Sequence, residues 1–431
     1  MDFKRNMHLK WLLMALLCMG LTKAALCQDN SITTLDDCYQ KASANYPLLK
    51  DKALLTDASD LKVKNIQTNY LPQLSLNGQM TYQSDVTQVS LPPQIGISVP
   101  GSPKDQYKVT LDAQQVIFDG GITQAQKKLE QASVATDVQQ IEVDLVKVKE
   151  QVNNTYFYIL ILDKNRDLLS NTLNVITDRM KTTKSAVQNG VLMQSDLDAL
   201  EAEELNTRQK LADIEINRKA AINILNILTG ESFNDSWKLT LPETSETDTA
   251  KNKRPEYGYF DLAEQRLDAA GKVSNTSLMP KLYAFGQVGY GKPGLNMLSD
   301  KFNSYYVVGA SLKWNFWDWN KSHREKQIYA IQKNQIENKR ANFDKGLSID
   351  LQNKQSAIEK YRETISNDQK IVTLRERITK TASSRLDNGV ITSTEYLLEL
   401  NNETMAKINL ETHKIQLVQA ETMYQLALGN M

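Results

Sequence analysis

Asn189-Gly190-Val191-Leu192-Met193-Gln194-Ser195-Asp196-Leu197 recurs 199 residues later as Asn388-Gly389-Val390-Ile391-Thr392-Ser393-Thr394-Glu395-Tyr396, and this echo decides how the chain is read. Phe118-Asp119 recurs at the same spacing as Trp317-Asp318, and Gly230 recurs as Gly429. Upstream the offset is 208, because Pro47 pairs with Pro255 and Pro72 with Pro280. One loop between Pro72 and Phe118 has therefore been lengthened. Two copies of one elongated unit mark an architectural object built by duplication rather than an enzyme with a single cleft.

Around these turns the chain reads as long helix. All ten prolines fall outside Lys104–Leu241 and Gly294–Met431, and no glycine lies between Gly121 and Gly190. Apolar residues at Ile141, Leu145, Val148, Val152, Tyr156 and Ile159 recur every three or four positions, an amphipathic stripe. A helix from about 122 to 188 is roughly 100 Å long at 1.5 Å per residue, and a rod of that length needs neighbours. Asn-Gly supplies the left-handed residue that ends a helix and reverses the chain. Shorter helices then return, at about 195–228 and 394–428, after rods at about 122–188 and 320–387. Stretches 48–70 and 257–278 open the two copies as helices, so two short helices accompany each long one.

Before each rod the period changes to two. Leu74, Leu76, Met80 and Tyr82 alternate with Ser75, Asn77, Gln79 and Thr81, and Val109, Leu111 and Ala113 with Lys108, Thr110 and Asp112. Strands are expected at about 73–84, 105–117, 281–291 and 304–316. Each is about long enough to cross a bilayer obliquely. The candidate interface aromatics Trp314, Phe316, Trp317 and Trp319 crowd the end of the last strand, where an aromatic belt would meet lipid headgroups. Their other reading is an ordinary cluster in a soluble sheet.

The N-terminus supports the membrane reading. Lys4 and Arg5, an apolar run from Trp11 to Leu21 and then Ala25-Leu26-Cys27 form a secretory signal peptide, expected as residues 1–27 with cleavage before Gln28. A rival reading makes Cys27 a lipidated N-terminus, against which Leu26 stands where a small residue is required. Cleavage leaves Cys38 as the lone cysteine, so no internal disulfide staples the chain. His323 and His413 have no companions at ligand spacing, so no metal or other cofactor is expected. Lys and Arg number 51, as do Asp and Glu, so no basic field attracts nucleic acid. No phosphate-binding glycine loop or nucleophile arrangement points to an enzyme.

Four strands cannot close a pore, and an open sheet edge does not survive in lipid. Other copies must complete the barrel, and three would give twelve strands over twelve helical columns. The repeats are expected at 28–242 and 243–431. The fold class is thus an α+β membrane protein whose duplicated unit of two β-strands and very long α-helices trimerises into a twelve-stranded membrane β-barrel continuous with an α-helical barrel.

Leu35-Asp36-Asp37-Cys38 through Asn45-Tyr46-Pro47, the strand starts Leu71-Pro72 and Met279-Pro280, Phe118-Asp119-Gly120, Asn-Gly-Val followed by Ser195-Asp196-Leu197, and the closing Leu426-Ala427-Leu428-Gly429 resemble the outer membrane efflux protein family. These are the TolC-like exit ducts of tripartite pumps and type I secretion systems. The resemblance covers nearly the whole mature chain. It implies a homotrimer in the outer membrane, a tunnel into the periplasm, and partners comprising outer membrane lipid, a periplasmic adaptor (membrane fusion) protein and an inner-membrane pump or ABC exporter. It also implies that Asn189, Gly190, Val191, Leu192, Asn388, Gly389, Val390 and Ile391 form the periplasmic tip and meet the adaptor, with pure chain reversal as the alternative for the glycines. Asp196 and Glu395 are candidates for an acidic pore constriction. Each also suits a helix first turn for its own sake, and both roles can hold. Two departures stand out: Trp319-Asn320 replaces the glycines after Asp318, and Gly346 interrupts the second rod. Tyr156, Phe157 and Tyr158 read as packing between helices. The competing function is a periplasmic coiled-coil scaffold with a small soluble sheet.

Overall fold

The computed structural model describes residues 33–88, 101–233, 237–243 and 252–431. The expected signal peptide, with Cys27, lies outside the described residues. The first series of elements is α1 (Leu35–Asn45), α2 (Pro47–Gln67), β1 (Gln73–Tyr82), β2 (Asp105–Phe118), α3 (Ile122–Gln188) and α4 (Gln194–Thr229). The second is α5 (Pro255–Asn275), β3 (Lys281–Lys292), β4 (Asn303–Lys313), α6 (Lys321–Asp387) and α7 (Ser393–Ala427). The long helices α3 and α6 have 67 residues each. Helix α6 runs through Gly346 without a break.

Local chemistry sets these limits. A capping box opens α1: the Thr34 hydroxyl accepts from the Asp37 amide at 3.2 Å, and the Asp37 carboxylate accepts from the Thr34 amide at 3.2 Å. Proline starts α2 and α5, where its fixed φ suits the first turn and its missing N–H is not needed. The first hairpin connection, 83–104, is longer than the second, 293–302, the direction in which the offset changes. Sheet pairing ends the strands. Tyr82 pairs with Asp105, the first residue of β2, so β1 stops there and not at 84. Lys313 pairs with Lys281, the first residue of β3, so β4 stops at 313 and not at 316. Trp314 and Phe316 therefore lie beyond the strand, which corrects their expected place on it.

The packing units are not the two repeats. One unit draws on Met1–Tyr46, Lys147–Ala250 and Gln352–Leu426, and the other on Pro47–Val146, Lys251–Leu351 and Ala427–Met431. Each takes a share of both copies, so the boundary at 242/243 separates duplicated sequences and not compact bodies.

The unit containing the strands holds one antiparallel sheet in the order β1-β2-β3-β4. Its register lines up alternate rows. Leu76, Leu111, Val288 and Tyr306 are direct neighbours across the four strands, and their relative exposures of 75%, 50%, 60% and 74% leave that face uncovered within the chain. The adjacent row, Ser75, Asp112, Gln287 and Val307, belongs to the opposite face, where Asp112 accepts hydrogen bonds from Asn77, Thr110 and Gln287. The same unit packs the start of α5 on α6, with the Tyr257 and Phe260 rings 5.5 and 6.0 Å from Phe343. No described helix is long and apolar enough to cross a membrane.

The other unit buries Cys38, Val152, Tyr156, Phe157 and Ile159 at its centre, packed with Ala221, Ile222, Leu225 and Ile415. The Tyr156 hydroxyl lies 2.6 Å from the Thr240 carbonyl and 3.0 Å from that of Thr33, and burial pushes its pKa up to about 12. Tyr158 differs from its neighbours in being 45% exposed within the chain. Arg218, 3% exposed, donates to Asp163 at 2.6 Å, which satisfies a cation placed among apolar side chains.

Candidate functional site

Both Asn-Gly turns lie in this second-described unit and close in one way. Gly190 and Gly389 have φ of 72° and 67°. The Gly190 amide donates to Val187 O at 3.0 Å and the Val191 amide to Ala186 O at 2.9 Å; Gly389 and Val390 repeat this on Leu386 and Arg385, both at 2.9 Å. These paired bonds are Schellman caps, and they satisfy carbonyls that the ending helices orphan. A Cβ at either glycine would meet nothing within 4 Å, so the positive φ alone selects glycine. Asn189 and Asn388 precede the glycines and are exposed, as are Val191 and Val390 at 74% and 62%. Leu192 is half-buried, while Ile391 packs on the core beneath the turns.

The two acidic candidates have different duties. Glu395 closes a capping box at the start of α7: its carboxylate accepts from the Thr392 amide at 2.8 Å, and the Thr392 hydroxyl accepts from the Glu395 amide at 3.3 Å. These hydrogen bonds from Thr392 hold the Glu395 carboxyl below its ordinary pKa. At the equivalent of Thr392 the first copy has Met193, which cannot cap, and α4 starts without a side-chain cap. Asp196 instead accepts from the amide of Ser393, at 3.0 Å, in the other copy.

Beneath the turns Ile176, Leu200, Ala382, Leu386, Tyr396, Leu397 and Leu400 form a small core shared by both copies. Arg179 spans it, donating to Asp387 and, at 2.6 Å, to Ser383, with its guanidinium 5.1 Å from the Tyr396 ring centroid. Sequence reading missed Arg179 and the 73%-exposed Met193. Position 378, the equivalent of Arg179, is Ile, so the repeat gave no signal for it.

At the strand-to-helix corners the copies share a backbone and differ in side chains. After Asp119 come Gly120 and Gly121, with φ of 72° and 83°; after Asp318 come Trp319 and Asn320, with 55° and 60°. The aspartates cap the following helices, Asp119 accepting from Thr123 N at 2.9 Å and Asp318 from Ser322 N at 2.8 Å. Burial pushes the Asp119 carboxyl up, but hydrogen bonds from Thr123, Gly121 and Tyr70 hold it below its ordinary pKa on balance. Of the candidate aromatics, Trp314, Phe316, Trp317 and Trp319 are 56%, 76%, 65% and 78% exposed. The Trp314 indole N–H donates to Leu278 O at 3.0 Å, and the Trp317 and Trp319 rings meet edge to face at 5.9 Å. Among the described residues no group of three or more His, Cys, Asp or Glu could hold a metal ion.

Residues 38–231 match the sequence model of the family described as outer membrane efflux protein. The chain is 23% identical over 304 residues, 66% of its length, to the "Toxin and drug export protein A" of Aggregatibacter actinomycetemcomitans. It spans 64% of that relative and 65% of an uncharacterised protein of Haemophilus influenzae, less than two thirds of each. Its fold matches the CmeC outer membrane channel of Campylobacter jejuni, with a TM-score of 0.68 at 17% identity over 93% of this chain and 86% of that one. It also matches the MtrE outer membrane channel of Neisseria gonorrhoeae in its open state, with a TM-score of 0.66 at 18% identity over 92% and 88%.

Residues 38–231 thus resemble the outer membrane efflux protein family.

The family match ends at Glu231, within the first copy, whereas the likeness to the channels extends over both copies. The chain carries an α+β duplicated fold, and its two copies differ at their caps and corners.

Proposed function

We propose that the chain forms the outer-membrane exit duct of a tripartite efflux pump or type I secretion system. The observation that carries this reading is the sheet: β1 and β4 are edge strands, and its face of Leu76, Leu111, Val288 and Tyr306 is apolar and uncovered. In lipid, unpaired backbone groups cost several kcal/mol each, so β4 of one copy pairs with β1 of the next until the sheet closes. Three copies close it at twelve strands, with the apolar rows outward and the Asp112 row lining the lumen. A soluble scaffold would leave the same face in water, against the apolar burial that stabilises folded chains.

The duct performs no chemistry on its cargo. An inner-membrane pump or ABC exporter supplies the energy, and a periplasmic adaptor meets the tip through Val191, Val390 and the turns that present them. The long helices extend into the periplasm. Asp196 and Glu395 keep their carboxylates near the turns while capping helices, and in a trimer they give six negative charges that favour cations at the constriction.

Single-channel current from the purified chain in a planar bilayer tests this. Stable steps under a salt gradient support an oligomeric pore, and cation preference supports the acidic constriction. Extraction from membranes without detergent, together with electrical silence, would overturn the duct.

A further inference from the structure

The two corners of the chain provide their own comparison. Both place two successive residues in the left-handed region after a helix-capping aspartate. The first continues Ile122-Thr123-Gln124-Ala125-Gln126 with no charge before Lys127. The second sets Trp317 and Trp319 beside Lys321 and Arg324, which are three apart and so neighbours on one face of α6. Two carboxylates share this corner: Glu325 lies 3.9 Å from Lys321 and accepts a hydrogen bond from Ser274, and Asp318 accepts from the Ser322 amide at 2.8 Å. Arg324 donates to the Trp319 carbonyl at 2.9 Å, which spends one N–H of its guanidinium and ties the side chain to the backbone of this corner.

A bulky side chain at positive φ is strained, and Trp319 gains no burial in return, since 78% of it stays exposed. The space is also specific to this corner. A Cβ at Gly120 would lie 2.6 Å from that of Met279, so the first corner cannot take a side chain there. The exposed indoles follow the uncovered Leu312 and Trp314 along the chain, and the cations come just past them. Apolar strand, indole, then exposed cation is the order that matches acyl chain, headgroup boundary and phosphate. Lys321 and Arg324 form an open surface without an enclosing cradle, which suits a headgroup held by its bilayer.

We infer that the Trp317–Arg324 corner docks the phosphate headgroup of an anionic phospholipid. The inference rests on the membrane-barrel reading above, and it gives each chain one lipid-gripping corner and one plain one.

The full chain is reconstituted into vesicles containing brominated phosphatidylglycerol or brominated phosphatidylcholine at equal mole fraction, and tryptophan fluorescence is followed. A Trp317→Phe, Trp319→Gly variant sets the background from the other tryptophans. The wild-type corner should reach half-quenching at an at least twofold lower fraction of phosphatidylglycerol than of phosphatidylcholine. Lys321→Gln with Arg324→Gln, both at exposed positions, should abolish this preference and leave quenching by phosphatidylcholine intact. Equal quenching by both lipids in the wild type overturns the inference while keeping the barrel. A preference that excess inorganic phosphate removes reassigns the corner to soluble anions and overturns it too. Quenching by neither lipid overturns the membrane reading itself.

Discussion

Asp196, in the first turn of α4, accepts a hydrogen bond at 3.0 Å from the backbone N–H of Ser393, the first residue of α7. A carboxylate of one copy thus caps the helix of the other. Its counterpart Glu395 is engaged by Thr392 of its own helix.

Removing that cap should loosen the start of α7 and not that of α4. Asp196→Ala is expected to cost about 1 kcal/mol locally, which corresponds to roughly fivefold faster amide hydrogen exchange at Ser393. Asp196→Asn keeps an oxygen acceptor and should restore protection. Equal acceleration in α4 and α7 would contradict the cross-copy cap.

Capping and ion preference can be separated at the same two residues. Asp196→Asn with Glu395→Gln retains both acceptors and removes both charges, so the assembled protein should persist while cation preference in single-channel recordings falls. Unchanged preference would exclude these carboxylates from the constriction.

Acid should act on the Glu395 box in a defined direction. Its folded pKa is lowered, so the stabilisation is fully present above the ordinary glutamate value and is lost as pH falls through the folded one. Thr392→Ala removes the hydroxyl partner and should raise the Glu395 midpoint toward the ordinary value, as read by carboxyl NMR titration. A midpoint that does not move would show that the hydroxyl contributes nothing.

The corners predict opposite outcomes for exchanges between glycine and a side chain. Trp319→Gly should raise thermal stability by about 0.5–1 kcal/mol, because it removes the left-handed penalty. Gly120→Ala should destabilise more than Gly121→Ala: both gain the penalty, but only at Gly120 does the new Cβ meet Met279, at 2.6 Å. Melting of the detergent-solubilised variants measures all three.

Much of this molecule is legible in its sequence because the signals are periodic. The change from a period of two to a helical one locates strands and rods, and Asn-Gly locates the turns, since the left-handed position needs glycine. The constant 199-residue offset foretells two long helices of equal length. What stayed hidden depends on partners far along the chain. The end of β4 is set by where β3 begins, while the apolar alternation runs on through Trp314 and Phe316. Tyr158 sits in the same aromatic run as Tyr156 but on the other side of the helix. At Asp196 and Glu395 equivalence of position did not reveal that Met193 makes no side-chain cap where Thr392 does.

That difference between the copies has a consequence for the proposed trimer. Six turns around an axis suggest sixfold symmetry, yet Asp196 and Arg179 each reach across to the other turn inside their own chain. Glu395, absorbed in its own helix, offers no such link to the next chain. The seams between turns therefore alternate, bridged within each subunit and unbridged by these bonds at the three subunit boundaries. A partner approaching the tip meets a ring of three couples and not of six equals, and any surface that matches it must repeat every 120°.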